Sequence, residues 1–384
     1  MPHRSTIRRG ALILALALAT GVACAAGPSR EHFHFGADLS YVNEMEDCGV
    51  VYREGGQPKD AYALFREHGT NLVRVRLWND ARWTRYSDLA DVKETIRRAH
   101  AQGMQVLLDF HYSDDWADGD KQIVPKAWAD ISDTADLART LYNYTYDVLM
   151  ALDRSGLMPE LVQVGNETNP PLLAQAPWDK HAPTDWQRNA ALFNAGIRAV
   201  RDAGAKASLQ PKVMLHIAQP ENVAPWFAAM TAQGVTDFDL IGISYYRKWS
   251  SQTEQGLADT IRAMRKAYPQ AGVMVVETAY PWTLEAADTH HNLLGKDALV
   301  DGYPATPDGQ LRYLVDLTQT IIDAGGNGIV YWEPAWTTSA CKTRWGRGSA
   351  WENATFFDFR HGNELLPGIG YMRHEYRWPA QATP

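Results

Sequence analysis

Leu161-Val162-Gln163-Val164-Gly165-Asn166-Glu167 is a short apolar run that breaks at a glycine and ends on a carboxylate. A run of this length, rich in β-branched residues and closed by Gly, reads as a strand buried on both faces. A glutamate at the end of such a strand costs desolvation energy, so it needs a partner or a chemical task. The pattern returns 110 residues later in Val273-Met274-Val275-Val276-Glu277-Thr278.

Reading outward from these two runs, similar ones recur along the chain. They are Phe33 to Leu39, Asn71 to Trp78, Met104 to Tyr112, Leu161 to Glu167, Val213 to Ile217, Leu240 to Tyr246, Val273 to Thr278 and Gly328 to Glu333. Between them lie amphipathic stretches such as Asp88 to Ala101, Thr184 to Ala203, Glu254 to Tyr268 and Gly309 to Ala324. Strand and helix in alternation predict a parallel sheet with crossover helices. Eight such units in roughly 300 residues predict a closed (β/α)8 TIM barrel rather than an open doubly wound sheet. The first strand also lacks the Gly-x-Gly-x-x-Gly turn of a dinucleotide fold. No linker separates a second domain, so residues 26–384 read as one catalytic barrel. Long loops after strands one, three, four, seven and eight would build its site, since the C-terminal face of such a barrel carries the chemistry.

The fourth and seventh strands lie nearly opposite in an eight-strand barrel, so Glu167 and Glu277 would face each other across its mouth. Retaining glycosidases need two carboxyls ~5–5.5 Å apart. One protonates the leaving oxygen and the other attacks the anomeric carbon. The acid needs a raised pKa, and the nucleophile needs donors that keep it ionised.

With these residues in view, the chain resembles glycoside hydrolase family 53, the endo-β-1,4-galactanases. The resemblance rests on Gly36-Ala37-Asp38-Leu39-Ser40, Glu46-Asp47-Cys48-Gly49, Asn71-Leu72-Val73-Arg74-Val75-Arg76-Leu77-Trp78, Asp109-Phe110-His111-Tyr112-Ser113-Asp114 and Tyr331-Trp332-Glu333-Pro334-Ala335-Trp336. It implies Glu167 as acid/base, Glu277 as nucleophile and Asn166 as the partner of the sugar 2-OH. It further implies that Arg76 donates to Glu277, that Tyr245 orients the same carboxylate, and that His111 and His216 line the subsite of the cleaved sugar over a floor at Trp332. Asp38, Trp78, Trp83, Asp114, Trp116 and Trp336 fall to neighbouring subsites. Bacterial members can hold calcium in the loop after the seventh strand through Asp-x-Asp-x-His-x-Asn. Here Asp288, His290 and Asn292 match and Ala286 replaces the first Asp. The expectation is therefore no required cofactor, with calcium at this loop and a metal-free polar loop left as alternatives.

Bulk properties fit this reading. Arg4, Arg8 and Arg9, the apolar run Ala11 to Val22 and Ala23-Cys24-Ala25 make residues 1–25 an export signal. The run is shorter than the ~20 residues that span a bilayer, and the residues before Cys24 lack the aliphatic side chain of a lipidation site. Removing the signal takes the formal charge from −8 to −11. An acidic surface repels nucleic acid and anionic polymers, which favours a neutral polysaccharide. The 14 Trp, 17 Tyr and 10 Phe would supply rings for stacking on sugar. The expected protein is secreted or periplasmic, free of the membrane once cleaved, and monomeric. Cys48 and Cys341 remain and can pair in an oxidising compartment. Three other readings stand beside this one. His32-x-His34 suits a metal-dependent amidohydrolase barrel, though later strands end in Asn-Glu and Trp-Glu. The substrate of the same clan could be mannan, cellulose or xylan. A non-catalytic carbohydrate-binding barrel is the last.

Overall fold

The computed structural model describes Met1, residues 28–175, Asp179 and residues 183–379. The signal and Cys24 lie outside the described residues. Eight parallel strands close into a barrel: β1 (His34–Asp38), β2 (Leu72–Leu77), β3 (Gln105–Phe110), β4 (Leu161–Val164), β5 (Lys212–Ala218), β6 (Leu240–Ser244), β7 (Gly272–Thr278) and β8 (Gly328–Tyr331). Each pairs with its sequence neighbours, and β1 pairs with β8 to shut the ring. All eight predicted strands are present; the fifth and seventh extend by one or two residues and the others are trimmed at their ends. The fourth stops at Val164 because Gly165 turns the chain at φ +85°, a conformation that favours glycine.

The helices in order are α1 (Val42–Asp47), α2 (Ala61–Glu67), α3 (Leu89–Ala101), α4 (Thr134–Asp153), α5 (Trp186–Gly204), α6 (Pro220–Ala232), α7 (Glu254–Ala267) and α8 (Pro307–Asp323). Asp88, Asp133, Asp185, Thr253 and Thr306 each cap a helix by accepting backbone N–H groups in its first turn. Among the described residues no α-helix follows β8. A 3-10 segment, Pro367–Arg373, packs against α8 in its place.

Alternation along the strands sorts the barrel interior into tiers. Leu72, Leu107, Leu161, Met214, Leu240, Met274, Val276 and Val330 form one apolar cluster inside the ring. Gly36 on β1 and Gly242 on β6 leave it room: a Cβ at either would come within 2.7–2.9 Å of Val330 or of Met214 and Val276. Two residues further along the same faces come Asp38, Arg74, Asp109, Gln163, His216 and Ser244, all buried. The interior thus changes from hydrocarbon to a hydrogen-bonded polar tier just below the mouth.

Above the barrel, a small sheet joins distant loops. Arg53–Glu54 and Gln57–Pro58, from the connection after β1, pair with Glu364–Leu365 and Phe357–Asp358 near the C-terminus. Cys48 and Cys341 form a disulfide beside it, with Cα atoms 5.5 Å apart. Among the described residues no helix is long and apolar enough to cross a membrane.

Candidate active site

Two strand ends bring the carboxylates together, each by a backbone irregularity. Past Gly165, Glu167 sits at φ +45°, a left-handed conformation that costs energy for a side chain with a Cβ and recurs at functional sites. On β7 the register against β6 slips, so that Ser244 opposes Glu277 where simple alternation would place Val276. A bulge of this kind re-aims a side chain. Val276 stays in the apolar tier and Glu277 also turns inward. Oxygens of Glu167 and Glu277, with a ring nitrogen of His216, all lie within 4.8 Å of one another.

The surroundings of the two acids differ. Glu277 is buried, and its Oε1 lies 2.8 Å from Arg74 Nη1. Its Oε2 accepts the Tyr246 hydroxyl at 3.2 Å. Glu167 is half-buried and accepts the Gly119 N–H at 3.0 Å. Burial pushes both carboxyls up. Asp118 adds to the shift at Glu167. At Glu277, Arg74 pulls down and Glu167 pushes up. Two acids this close titrate as a pair. The guanidinium and the phenol favour charge on Glu277, and Asp118 disfavours it on Glu167.

Arg74 is the hub of the polar tier. It donates to Asp38 at 3.0 Å, to Asp109 at 2.8 Å and to Asn166 Oδ1 at 2.7 Å, besides Glu277. Asn166 gives an amide hydrogen to Ala117 O and lines the groove. His111 also lines it, with Nδ1 accepting from Ala117 N–H at 3.2 Å and Nε2 3.1 Å from Asp109 Oδ2. Both nitrogens are engaged, so the ring is fixed. Trp332, Trp336 and Trp116 form the apolar wall, with Trp332 edge-on to Trp351 at 4.7 Å. The groove encloses about 780 Å³.

Several expected roles fall to other residues. Arg76 does not reach Glu277. It pairs with Glu333 and is enclosed by the rings of Tyr41, Trp78 and Trp116 at 4.2–4.9 Å. Both arginines of β2 face inward because they are two residues apart, and the one nearer the apolar tier meets Glu277. Tyr245 points outward, its hydroxyl donating to Gln252 O at 3.3 Å, and Tyr246 takes the place expected of it. His216 does not line the groove. It is fully buried, bonded to Asn166 Oδ1 at 3.0 Å and Ser244 Oγ at 2.8 Å, and burial with Arg74's charge holds its pKa well below 6.5. Trp78 stands behind the wall against Trp83 and Trp116. Asp114 braces a loop by accepting from the Asp80 and Lys126 N–H groups. Asp38 does line the groove.

Of the metal-loop residues, Asp288 is held by protein donors, whereas His290 Nδ1 and Asn292 Oδ1 are buried without a partner among the described residues. Asp288 accepts from Thr338 Oγ1, Ser349 N–H and His290 N–H at 2.8–2.9 Å. Its oxygens are spent on protein donors. Glu352 lies against it, pushed up to about 7 by burial and by the charge of Asp288. Ala286 offers no side-chain oxygen, and calcium takes six to eight.

Comparison with known proteins bears on the same site. The family model described as Glycosyl hydrolase family 53 matches residues 34–372. An arabinogalactan endo-beta-1,4-galactanase of Cellvibrio japonicus (strain Ueda107) is 50% identical over 372 residues, covering 97% of each chain. An endo-beta-1,4-galactanase of Bacillus subtilis (strain 168) is 37% identical, over 82% of this chain and 73% of its own. Among solved structures, the GH53 catalytic domain of Ignisphaera aggregans superposes with a TM-score of 0.80 at 31% identity, covering 93% of this chain and all of that one. A fungal beta-1,4-galactanase follows at 0.76 and 29%, covering 89% of this chain and 99% of its own.

Proposed function

Because the chain belongs to glycosyl hydrolase family 53, we propose that it cuts β-1,4-galactan, the side chain of type I arabinogalactan, within the polymer and with retention of configuration. The observation that carries this reading is the pair of carboxylates within 4.8 Å, one tied to a guanidinium and a phenol and the other to the Gly119 N–H and the Ser244 side chain. Their spacing suits attack by one of them on the sugar and falls short of the ~6.5–9.5 Å separation that inverting enzymes use.

In the first step Glu277 attacks the anomeric carbon as the glycosidic bond breaks, and the Glu167 proton passes to the departing oxygen. In the second, Glu167 takes a proton from water, whose oxygen displaces Glu277. Asn166 meets the sugar 2-OH. Arg76, paired with Glu333 among the rings of Tyr41, Trp78 and Trp116, puts a positive charge beside the sugar site. No metal or organic cofactor is needed. The N-terminal leader exports the enzyme, which acts as a monomer on a neutral chain.

Linear galactan followed by NMR tests substrate and stereochemistry together. The β-anomer appears first in a mixture of oligosaccharides. Early α-anomer would overturn retention, and reducing ends from mannan but not from galactan would overturn the substrate. Glu167→Gln and Glu277→Gln should each cost about 10²-fold or more on unactivated substrate.

A further inference from the structure

Gln122 lies buried on the loop after β3, and both its main chain and its side chain cross to the loop after β4. Its carbonyl accepts from Ala174 N–H at 2.7 Å, and Val124 N–H returns to Ala174 O at 3.1 Å. Its amide nitrogen lies 2.7 Å from Asn166 O, 3.1 Å from Asp118 O and 3.3 Å from Glu167 O. Three carbonyl oxygens around one point accept only from a donor, so the nitrogen must face them. The amide oxygen is then left buried, with no partner among the described residues. An unpaired buried acceptor costs energy, so the donors are what this position uses.

Those carbonyls belong to the two parts that fix Glu167. Asp118 and Lys121 exchange backbone hydrogen bonds at 2.9 and 3.0 Å, closing a tight turn with Gly119 and Asp120 at its tip. From that tip the Gly119 N–H reaches Glu167 Oε2. Asn166 O stands one peptide before Glu167, whose own backbone is held at φ +45°. A left-handed residue with a side chain persists only where its surroundings enforce it. One amide therefore ties the backbone that carries the acid to the turn that grips its carboxyl. Glu277 is held separately, by Arg74 and Tyr246.

We infer that Gln122 is a positioning residue for the acid/base alone. It sets where the Glu167 carboxyl stands against the departing oxygen and leaves the nucleophile as it was. Displacing a catalytic group by about 1 Å lowers a rate by up to roughly 10²-fold. Attack by Glu277 on a sugar whose leaving group needs no proton should not feel the change.

This rests on the galactanase reading, and the test separates the two. Wild-type turnover of galactan is measured first. None would count against the substrate, and the comparison would move to the neutral polysaccharide that is cut. Gln122→Met keeps the length and loses both donors, and Gln122→Asn draws the donors back by one carbon. Both are compared on galactan and on 2,4-dinitrophenyl β-galactobioside, whose phenolate leaves without a proton. On galactan kcat/KM should fall roughly ten- to a hundredfold. On the aryl glycoside it should stay within about threefold, because acid help is not used there. There kcat should drop instead, since the second step still needs Glu167 as base. Azide needs no base, so it should restore kcat and give β-galactobiosyl azide. Equal losses of kcat/KM on both substrates would mean that the amide only holds the barrel mouth together. Unchanged rates on both would mean that Glu167 is fixed without it. Failure of both variants to fold would make Gln122 a part of the fold alone. Each of these results overturns the proposal.

Discussion

At the level of single residues, the site turns on which of two neighbouring side chains faces the barrel mouth. The polar tier follows a step of two: Leu72, Arg74, Arg76 on β2 and Leu240, Gly242, Ser244, Tyr246 through β6. That step was readable from the residues and singles out Tyr246 over Tyr245. It does not say which inward arginine meets Glu277, because height along the barrel depends on strand stagger. Nor does it reach Glu277, which a bulge turns inward against the count. Two outcomes follow. Tyr246→Phe should lower kcat on galactan roughly tenfold or more, the scale of a hydrogen bond to a charged group, whereas Tyr245→Phe should leave kcat within about twofold; parallel kinetics of both variants checks the assignment. Arg74→Met removes the charge that pulls the Glu277 carboxyl down. Its pKa then rises, so the acidic limb of the pH–rate profile should move to higher pH, with kcat reduced about 10²-fold. An acidic limb that stayed in place would show that Arg74 does not hold Glu277 ionised.

At the level of elements, the loops after β7 and β8 are held by protein contacts. Asp288 fastens the first to Thr338 and Ser349 of the second, and the disulfide fastens the second to α1 and its following turn. Asp288, His290 and Asn292 were visible as a polar run, but the run does not show that Thr338 and Ser349, some 50 and 61 residues away, take up the carboxylate. Thermal unfolding with and without EDTA or added calcium should give the same Tm within about 1 °C, a much smaller change than a ligand at a hundred times its Kd would make. The double variant Cys48→Ser with Cys341→Ser should lose about 2–5 kcal/mol of stability in denaturant titration. A calcium-dependent Tm would reinstate a metal at this loop.

At the level of the whole molecule, the eight strands and their order were legible because alternation of buried strand and amphipathic helix has few closed solutions. The small sheet above the mouth was not. Its strands are two residues each, too short to carry a period, and they pair across some 300 residues of chain. Net charge acts at this scale as well. With a net charge of −8, polygalacturonate should be a poor substrate at low salt, and kcat/KM on galactan should vary little with ionic strength; a steep salt dependence on galactan would count against a neutral partner. The bond between Cys48 and Cys341 has one more outcome. Any single proteolytic nick between those two positions yields pieces that stay covalently joined. A nicked sample should therefore migrate as one band without reductant and as two with it, and it can retain its groove intact.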